Sequence, residues 1–458
     1  MKKPIRPPNW ATILEEETRK DPSQIVHWLA DPRVHSVVED ANNHAWNWEE
    51  CGHRAHLAGL TAKQFWLCVK LARGSGRKMI PLRDIHGLPF SYQLPPLAHR
   101  VLHLIDTNLG GSIGSAFPRI SSEDDQKRYL LTSLREEAIS SSLIEGAVVT
   151  REVAKSLLRE SRRPRSRHEQ MVANNYRTIR MLNLRRQDPM TPELLCEVQR
   201  SLTEGTLDTP DAAGRFRNSG EPIAVWDHEE QEPLFTPPPA GELPERIRHL
   251  CDFANRQNSP GNSEFLHPAI RAIVLHFWLA YDHPFVDGNG RTARALFYWS
   301  LLRDGYWLAE YISISSIIHT QPKRYARAYL DTETDERDLT YFLLYHLHVV
   351  ERGIEAFRRY FDRKVEEQRE QVVIQTGPFN SRQRAILLRA LRDSAMRFTF
   401  ESHAGSHGVS IPTARSDLMT LEKRGLLIAN RHDRRFEFLP APDLEARLRA
   451  ISERRGSS

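Results

Sequence analysis

The stretch from His283 to Arg294 reads His-Pro-Phe-Val-Asp-Gly-Asn-Gly-Arg-Thr-Ala-Arg, and its residue types suit the handling of a phosphate chain. His283 can take a proton near neutral pH. Asp287 offers a hard carboxylate oxygen of the kind Mg2+ prefers, an ion usually shared with substrate phosphates. Gly288 and Gly290 let successive backbone N–H groups turn inward as an anion nest. Arg291 and Arg294 follow on a new helix whose N-terminus would point at the same anion. A base, a metal ligand, a nest and two guanidinium groups packed this closely are what phosphoryl-type transfer from a nucleotide needs.

Two helices must hold this stretch. Leu266 to Tyr281 carries a broad apolar face of Leu266, Ile270, Ile273, Val274, Phe277, Trp278 and Tyr281 at helical spacing. His267 and His276 lie on that helix without the cysteines or paired carboxylates of a metal set, and read as structural. Pro284 cannot continue a regular helix, so the first one ends near His283. Arg291 to Arg303 is apolar nearly all round, which predicts a buried helix and therefore a rigid nest at its mouth.

The stretch resembles the core motif of the Fic (filamentation induced by cAMP) family, His-Pro-Phe-x-Asp/Glu-Gly-Asn-Gly-Arg-x-x-Arg, at every specified position. The resemblance implies a mainly α fold with a helical core and a β-hairpin flap, and transfer of AMP from ATP, with Mg2+, to a Tyr, Thr or Ser hydroxyl of a target protein. It implies His283 as base, Asp287 as metal ligand, and Gly288, Asn289, Gly290, Arg291, Thr292 and Arg294 around the nucleotide. Arg294 would take the γ-phosphate, and Tyr325 sits where the family often has a pocket tyrosine. Ser141-Ser-Leu-Ile-Glu145-Gly146 is similar to the family's inhibitory motif and precedes the core motif, so Ser141 and Glu145 are expected to end an inhibitory helix over 122–146, with Glu145 on Arg294. Between Gly214 and Pro239, Ile223-Ala-Val-Trp226 and Leu234-Phe235-Thr236 flank a polar tip, Asp227 to Glu232. That pattern predicts a hairpin and resembles the flap that holds a target segment by strand addition, through Ile223, Ala224 and Val225. A de-AMPylating hydrolase using the same site is the alternative within the family.

The remaining chain supplies context. It has 458 residues, net charge +5 and four cysteines in no Cys-x-x-Cys pair, which fits a reducing compartment. There is no apolar run of membrane-spanning length and no signal-peptide pattern near Met1, so the expectation is a cytoplasmic protein without membrane contact. Residues 1–109 read as an accessory helical region, with helices at Ser23 to Trp28 and Gly59 to Leu71, and a Gly/Ser hinge follows at Gly110 to Ser115. The family domain is expected over 110–365, with helices at Ser122 to Ile144, His168 to Leu184, Thr191 to Leu202, Ile312 to Leu330 and Asp338 to Val350. The basic run from Arg151 to Arg167 reads as a solvated helix face with a loop. Over 378–445, helices at Ser381 to Leu391, Phe398 to His403 and Ile411 to Arg424 precede a hairpin of Leu426 to Ala429 and Phe436 to Leu439. This resembles a winged helix-turn-helix, which implies DNA contacts by Thr413, Arg415, Ser416 and Thr420, with Arg431, Arg434 and Arg435 at the wing; a protein–protein module of the same fold is the alternative. A DNA-binding regulator with the nucleotide site as sensor is therefore a further alternative, and a homodimer is left open. The tail, Glu453 to Ser458, is expected to be disordered.

Overall fold

Proline starts much of this chain's helical structure. Its missing N–H costs nothing in the first turn and its φ is already helical. In the computed structural model, which describes residues 3–74, 76–110, 123–221, 223–226, 233–258, 265–432 and 435–456, six helices begin this way: α2 (Pro22–Ala30), α3 (Pro32–Asn43), α6 (Pro96–Leu109), α10 (Pro192–Thr203), α12 (Pro268–Asp282) and α15 (Pro322–Thr334). Asp21, Asp31 and Thr191 cap three of them by accepting a first-turn N–H. The other helices are α1 (Trp10–Lys20), α4 (Trp48–Arg54), α5 (Ala62–Gly74), α7 (Glu123–Ile144), α8 (Arg151–Glu160), α9 (Arg167–Leu184), α11 (Leu243–Asn255), α13 (Asn289–Arg303), α14 (Ile314–Thr320), α16 (Thr340–Thr376), α17 (Ser381–Arg392), α18 (Phe400–His407), α19 (Ile411–Lys423) and α20 (Leu444–Gly456). Three antiparallel two-stranded hairpins complete the mainly α fold: β1 (Lys78–Arg83) with β2 (Pro89–Tyr92), β3 (Val225–Trp226) with β4 (Pro233–Phe235), and β5 (Leu427–His432) with β6 (Arg435–Pro440).

The chain forms two compact units, Met1–Phe357 and Arg358–Ser458. Within the first, α12 and α13 form the central pair, and Trp278, Phe277, Phe297 and Trp299 are fully buried on them. The first 109 residues do not stand apart from this core. Lys70, 1% exposed at its side chain, binds Asp335 Oδ1 at 2.8 Å, and Arg73 donates to the Tyr341 hydroxyl at 2.8 Å. Such a buried charge set holds only while every member is present. The second unit packs α17, α18, α19 and the β5–β6 hairpin around Leu387, Leu418, Leu421 and Phe438.

Several boundaries differ from those predicted. Gly59 does not open a helix. It is left-handed (φ +67°) and closes a 3-10 turn over Ala55–Ala58, before α5 starts at Ala62. The stretch Ile312 to Leu330 is two helices, because Pro322 removes an N–H and starts α15. Phe398 to His403 shifts to Phe400–His407, capped by Thr399. The tail is helical to Gly456 as part of α20. The sequence pattern does not announce the β1–β2 hairpin or helices α1, α3, α4, α6, α11 and α20. The hinge beyond Gly110, the Asp227 to Glu232 tip, Arg434 and the side chains of Arg431 and Arg435 lie outside the described residues.

Candidate active site

Helix α12 ends one residue before His283, which is left-handed (φ 47°, ψ 56°) and donates its N–H to the Leu279 carbonyl at 3.0 Å. Its Nδ1 lies 3.1 Å from the Ala280 carbonyl oxygen. A carbonyl only accepts, so the neutral ring carries its proton on Nδ1 and keeps a free lone pair on Nε2. Burial pushes the imidazole below its ordinary pKa, against the opposing hydrogen bond to Ala280 and the Glu145 charge. The ring is therefore neutral at pH 7.

The turn after His283 is tied from within. Phe285 N–H donates to Asn289 Oδ1 at 2.9 Å, and Asn289 Nδ2 donates back to the Phe285 carbonyl at 2.7 Å. The Asn289 side chain is thus committed inside the loop, and any nucleotide contact falls to its main chain. The Thr292 hydroxyl likewise donates to the Gly288 carbonyl at 2.8 Å and is fully buried, which leaves it a scaffold role. Gly288 (φ +84°) caps α13, and a Cβ there would meet Thr203 Cγ2 at 2.8 Å. Asp287 Oδ1 accepts the Gly288 N–H at 2.6 Å, while 45% of its side chain stays exposed.

Arg291 and Arg294 differ in environment. Arg291 donates to the Leu202 carbonyl at 2.9 Å and lies 3.4 Å from Asp287 Oδ2, with no side-chain exposure. Arg294 Nε donates to Ser141 Oγ at 2.8 Å, and its Nη2 donates to the Ser141 carbonyl and to Glu145 Oε1, both at 3.0 Å. Its Nη1 is buried without a partner. The Glu145 carboxylate also covers the start of α13: a Cβ on Gly290 would lie 2.2 Å from Oε1 and 2.9 Å from Oε2. The first N–H groups of a helix have no intrahelical partners and carry the positive end of its dipole. The cap residue of α13, Gly288, has no side chain to accept from them, and a carboxylate stands in front of the helix. Glu137, about two turns before Glu145 on α7, anchors that helix by accepting from the Tyr298 hydroxyl (2.8 Å), Ser313 Oγ (2.9 Å), Ser315 N–H (2.9 Å) and the Ser315 hydroxyl.

Tyr325 is half-buried, its hydroxyl 2.9 Å from His276 Nε2 and 3.1 Å from the Tyr329 hydroxyl. His276 is fully buried, which holds its pKa well below the ordinary value. His267 caps α12 by accepting the Ala269 N–H at 3.1 Å. The flap pairs Val225 with Phe235 and Trp226 with Pro233. Phe235 rests on Tyr281 with ring centroids 5.0 Å apart. Ile223 and Ala224 are half-buried, and Val225 is exposed.

Two polar residues outside the His283 to Arg294 stretch organise the loop. Gln199 donates to the Asp287 carbonyl at 3.0 Å and accepts the Gly214 N–H at 2.5 Å. It is fully buried beside Leu195, Val198 and Leu202 on α10, and a lone amide in that apolar stripe was the available signal. Arg217 donates through Nε to the His283 carbonyl at 2.8 Å. Its partner is remote in sequence, so no local pattern announces it.

Residues 189–301 match the Fic/DOC family model. These residues form a Fic domain. The matched span holds the whole His283 to Arg294 stretch and the flap, whereas Ser141, Glu145, Tyr325 and the second unit lie outside it. The protein adenylyltransferase Fic of Nematostella vectensis is 31% identical over 148 residues, 32% of this chain and 30% of that protein. Its Drosophila mojavensis namesake is 43% identical over 97 residues, 21% of this chain and 17% of that protein. The chain therefore spans less than a third of the length of the curated relatives it matches. Among solved structures, a Fic family protein from Desulfovibrio desulfuricans G20 superposes over 75% of this chain and 96% of its own, at 20% identity and a TM-score of 0.48. A C. elegans Fic-1 fragment covers 58% of this chain and 73% of its own at 19% identity and a TM-score of 0.45.

In the second unit, Arg415 and Ser416 are exposed on α19, and Thr413 and Thr420 are half-buried there. The Thr420 hydroxyl donates to the Ser416 carbonyl at 2.6 Å. Asp417 on the same helix faces inward and binds Arg382 Nε (2.6 Å), Asn380 Nδ2 (2.7 Å) and His403 Nε2 (3.2 Å). Among the described residues no helix is long and apolar enough to cross a membrane.

Proposed function

We propose that this protein transfers AMP from ATP to a Tyr, Thr or Ser hydroxyl of a target protein and that Glu145 restrains it. The observation that carries this reading is the Glu145 carboxylate on Arg294 and over Gly290: an anion of the chain itself sits in the seat that Fic chemistry would give to the nucleotide's phosphates.

In the reaction, His283 Nε2 takes the proton of the target hydroxyl. The hydroxyl oxygen forms a bond to the α-phosphorus, the bond from that phosphorus to the bridging oxygen breaks, and pyrophosphate leaves. The backbone at Gly288, Asn289 and Gly290 would seat phosphate oxygens through N–H donors, and Arg294, once Glu145 is displaced, would take the terminal phosphate as a bidentate cation. The residues present fit Mg2+ in the way that ion is commonly held, by one carboxylate with the rest supplied by phosphates and water. Asp287, half exposed beside the nest, would hold it, and the ion would neutralise phosphate charge. Among the described residues no cluster of three or more His, Cys, Asp or Glu competes for that role. The flap, through Ile223, Ala224 and Val225, would align an extended target segment by backbone pairing.

Labelled ATP tests this. With Mg2+ and lysate, label on the α-phosphorus is expected to enter protein and label on the γ-phosphorus is not. Entry of γ label, or equal α labelling in His283→Ala, would overturn the reading. Two readings remain beside it. Glu145 would serve a hydrolase that removes AMP by orienting a water, and an AMP-modified target losing its label faster with Glu145 intact would favour that one. The exposed Arg415 and Ser416 on α19 favour a DNA-contacting role for the second unit. A gel shift abolished by Arg415→Ala and weakened by salt would support it.

A further inference from the structure

The His283 backbone is held by one side chain from far away in the sequence. Arg217 stands at the entry to the flap, is 7% exposed, and places its guanidinium behind the turn that carries the base. Nε donates to the His283 carbonyl at 2.8 Å, Nη2 donates to the Pro238 carbonyl at 2.5 Å, and the same Nη2 lies 3.4 Å from the Asp282 carbonyl. The Arg217 backbone N–H donates to the Pro284 carbonyl at 2.9 Å. The carbonyls of three consecutive residues, 282 to 284, therefore face this one residue, and the fourth acceptor, Pro238, is where the flap returns to the helical core.

His283 needs such a hold. It is left-handed without being glycine, a conformation that costs a side-chain-bearing residue energy and persists only where its surroundings impose it. The left-handed turn is also what brings Nδ1 to the Ala280 carbonyl one turn back, and that bond decides which ring nitrogen keeps its lone pair. The Arg217 guanidinium bonds to main-chain carbonyls, and its charge adds to the lowering of the His283 pKa. Its bonds fix the main chain from which the ring projects.

We infer that Arg217 is a positioning residue for the His283 base, holding the left-handed 282–284 turn so that Nδ1 stays on the Ala280 carbonyl and Nε2 stays free, and tying both ends of the flap to that turn. A point charge alone would not do this, because the fork of the guanidinium serves carbonyls in different directions. The kinetic part of the inference rests on the AMP-transfer reading; the structural part does not.

The test uses the full chain carrying Glu145→Gly, with Arg217→Ala and Arg217→Lys added singly. Nitrogen-15 imidazole spectra, with the His283 signals assigned by their loss in His283→Ala, are expected to show the Nδ1–H tautomer in the parent and a mixture of both tautomers in Arg217→Ala. For AMP transfer, Arg217→Ala is expected to lower kcat tenfold or more while KM for ATP moves less than threefold, and Arg217→Lys is expected to recover part of kcat. Unchanged tautomer and kcat in Arg217→Ala would overturn the inference. So would kcat, KM and thermal midpoint falling together with Lys no better than Ala, since that is a general structural role. A parent that transfers no AMP would refute the proposed reaction, and the ring spectra would still decide the role of Arg217.

Discussion

Glu145, the residue that follows α7, stands one turn beyond Ser141 and binds the same guanidinium: Arg294 Nε reaches Ser141 Oγ at 2.8 Å, and Nη2 reaches Glu145 Oε1 at 3.0 Å. The serine fixes the fork and the glutamate fills its open side. Removing the Ser141 hydroxyl should loosen this arrangement while leaving the carboxylate in place. One hydrogen bond to a charged group is worth about 1.5–3 kcal/mol, part of which the Ser141 carbonyl retains. Ser141→Ala is therefore expected to raise AMP transfer by a few-fold, clearly less than Glu145→Gly, in a labelled-ATP assay at fixed protein concentration.

The Asn289 amide closes the loop through two reciprocal bonds to Phe285. Asn289→Ala leaves the buried Phe285 N–H and carbonyl without partners, at about 1–3 kcal/mol each. A loss of roughly 2–4 kcal/mol in urea unfolding is expected. Asn289→Asp should destabilise less than Ala, since Oδ1 remains as acceptor for the Phe285 N–H.

Asp335 lies between two buried cations, 2.8 Å from Lys70 Nζ and 3.6 Å from Arg73 Nη1. Truncating it strands charge in the interior, a change that costs about 3–5 kcal/mol. Asp335→Ala should show that loss in chemical unfolding of the full chain. Replacing the exposed partner of an outer pair, as in Arg100→Ala against Glu351, should cost under about 1 kcal/mol.

Acid should weaken the fold through two interior histidines. His276 and His346 are fully buried with ring centroids 4.7 Å apart. Burial lowers both pKa values, His346 to about 3. The unfolded chain takes up protons near pH ~6.5, which the native state refuses. The unfolded state then binds more protons, so stability is full above that pH and falls as pH drops towards about 3. The slope approaches about 1.4 kcal/mol per pH unit for each histidine. Unfolding followed from pH 7.5 to 5 should show this decline, and His346→Phe should flatten it. The lowered His283 pKa has a kinetic counterpart: the acid limb of kcat/KM is expected below the usual imidazole range.

The Fic core motif was legible because its meaning lies in residue types at fixed spacing, and the same holds for α12 and α13, whose apolar faces run at helical period. The flap was legible from two short apolar runs around a polar tip. The β1–β2 hairpin was not, because Pro81 interrupts Lys78–Arg83 and the alternation is short. The split of Ile312 to Leu330 was written in Pro322, a signal that the continuous apolar pattern outweighed. What escaped at the site itself has one physical reason. Gln199 meets Asp287, and Arg217 meets His283, across 88 and 66 residues, and long-range contacts to main-chain carbonyls leave no mark on local composition. The side chains of Asn289 and Thr292 looked like ligand contacts and are bonded within the loop, since a tight turn satisfies its own buried polar groups before any ligand arrives.

If Glu145 holds closed a site for AMP transfer, removing its carboxylate should release that activity. Intact-mass measurement after incubation with ATP and Mg2+, comparing the natural sequence, Glu145→Gly and Glu145→Gly with His283→Ala, tests it most directly. Glu145→Gly is expected to gain one or more AMP units on itself or on lysate proteins at least about tenfold above the natural sequence, equivalent to about 1.4 kcal/mol of restraint, and the double variant is expected to gain none. Equal labelling with and without Glu145, or labelling that persists without His283, would contradict it.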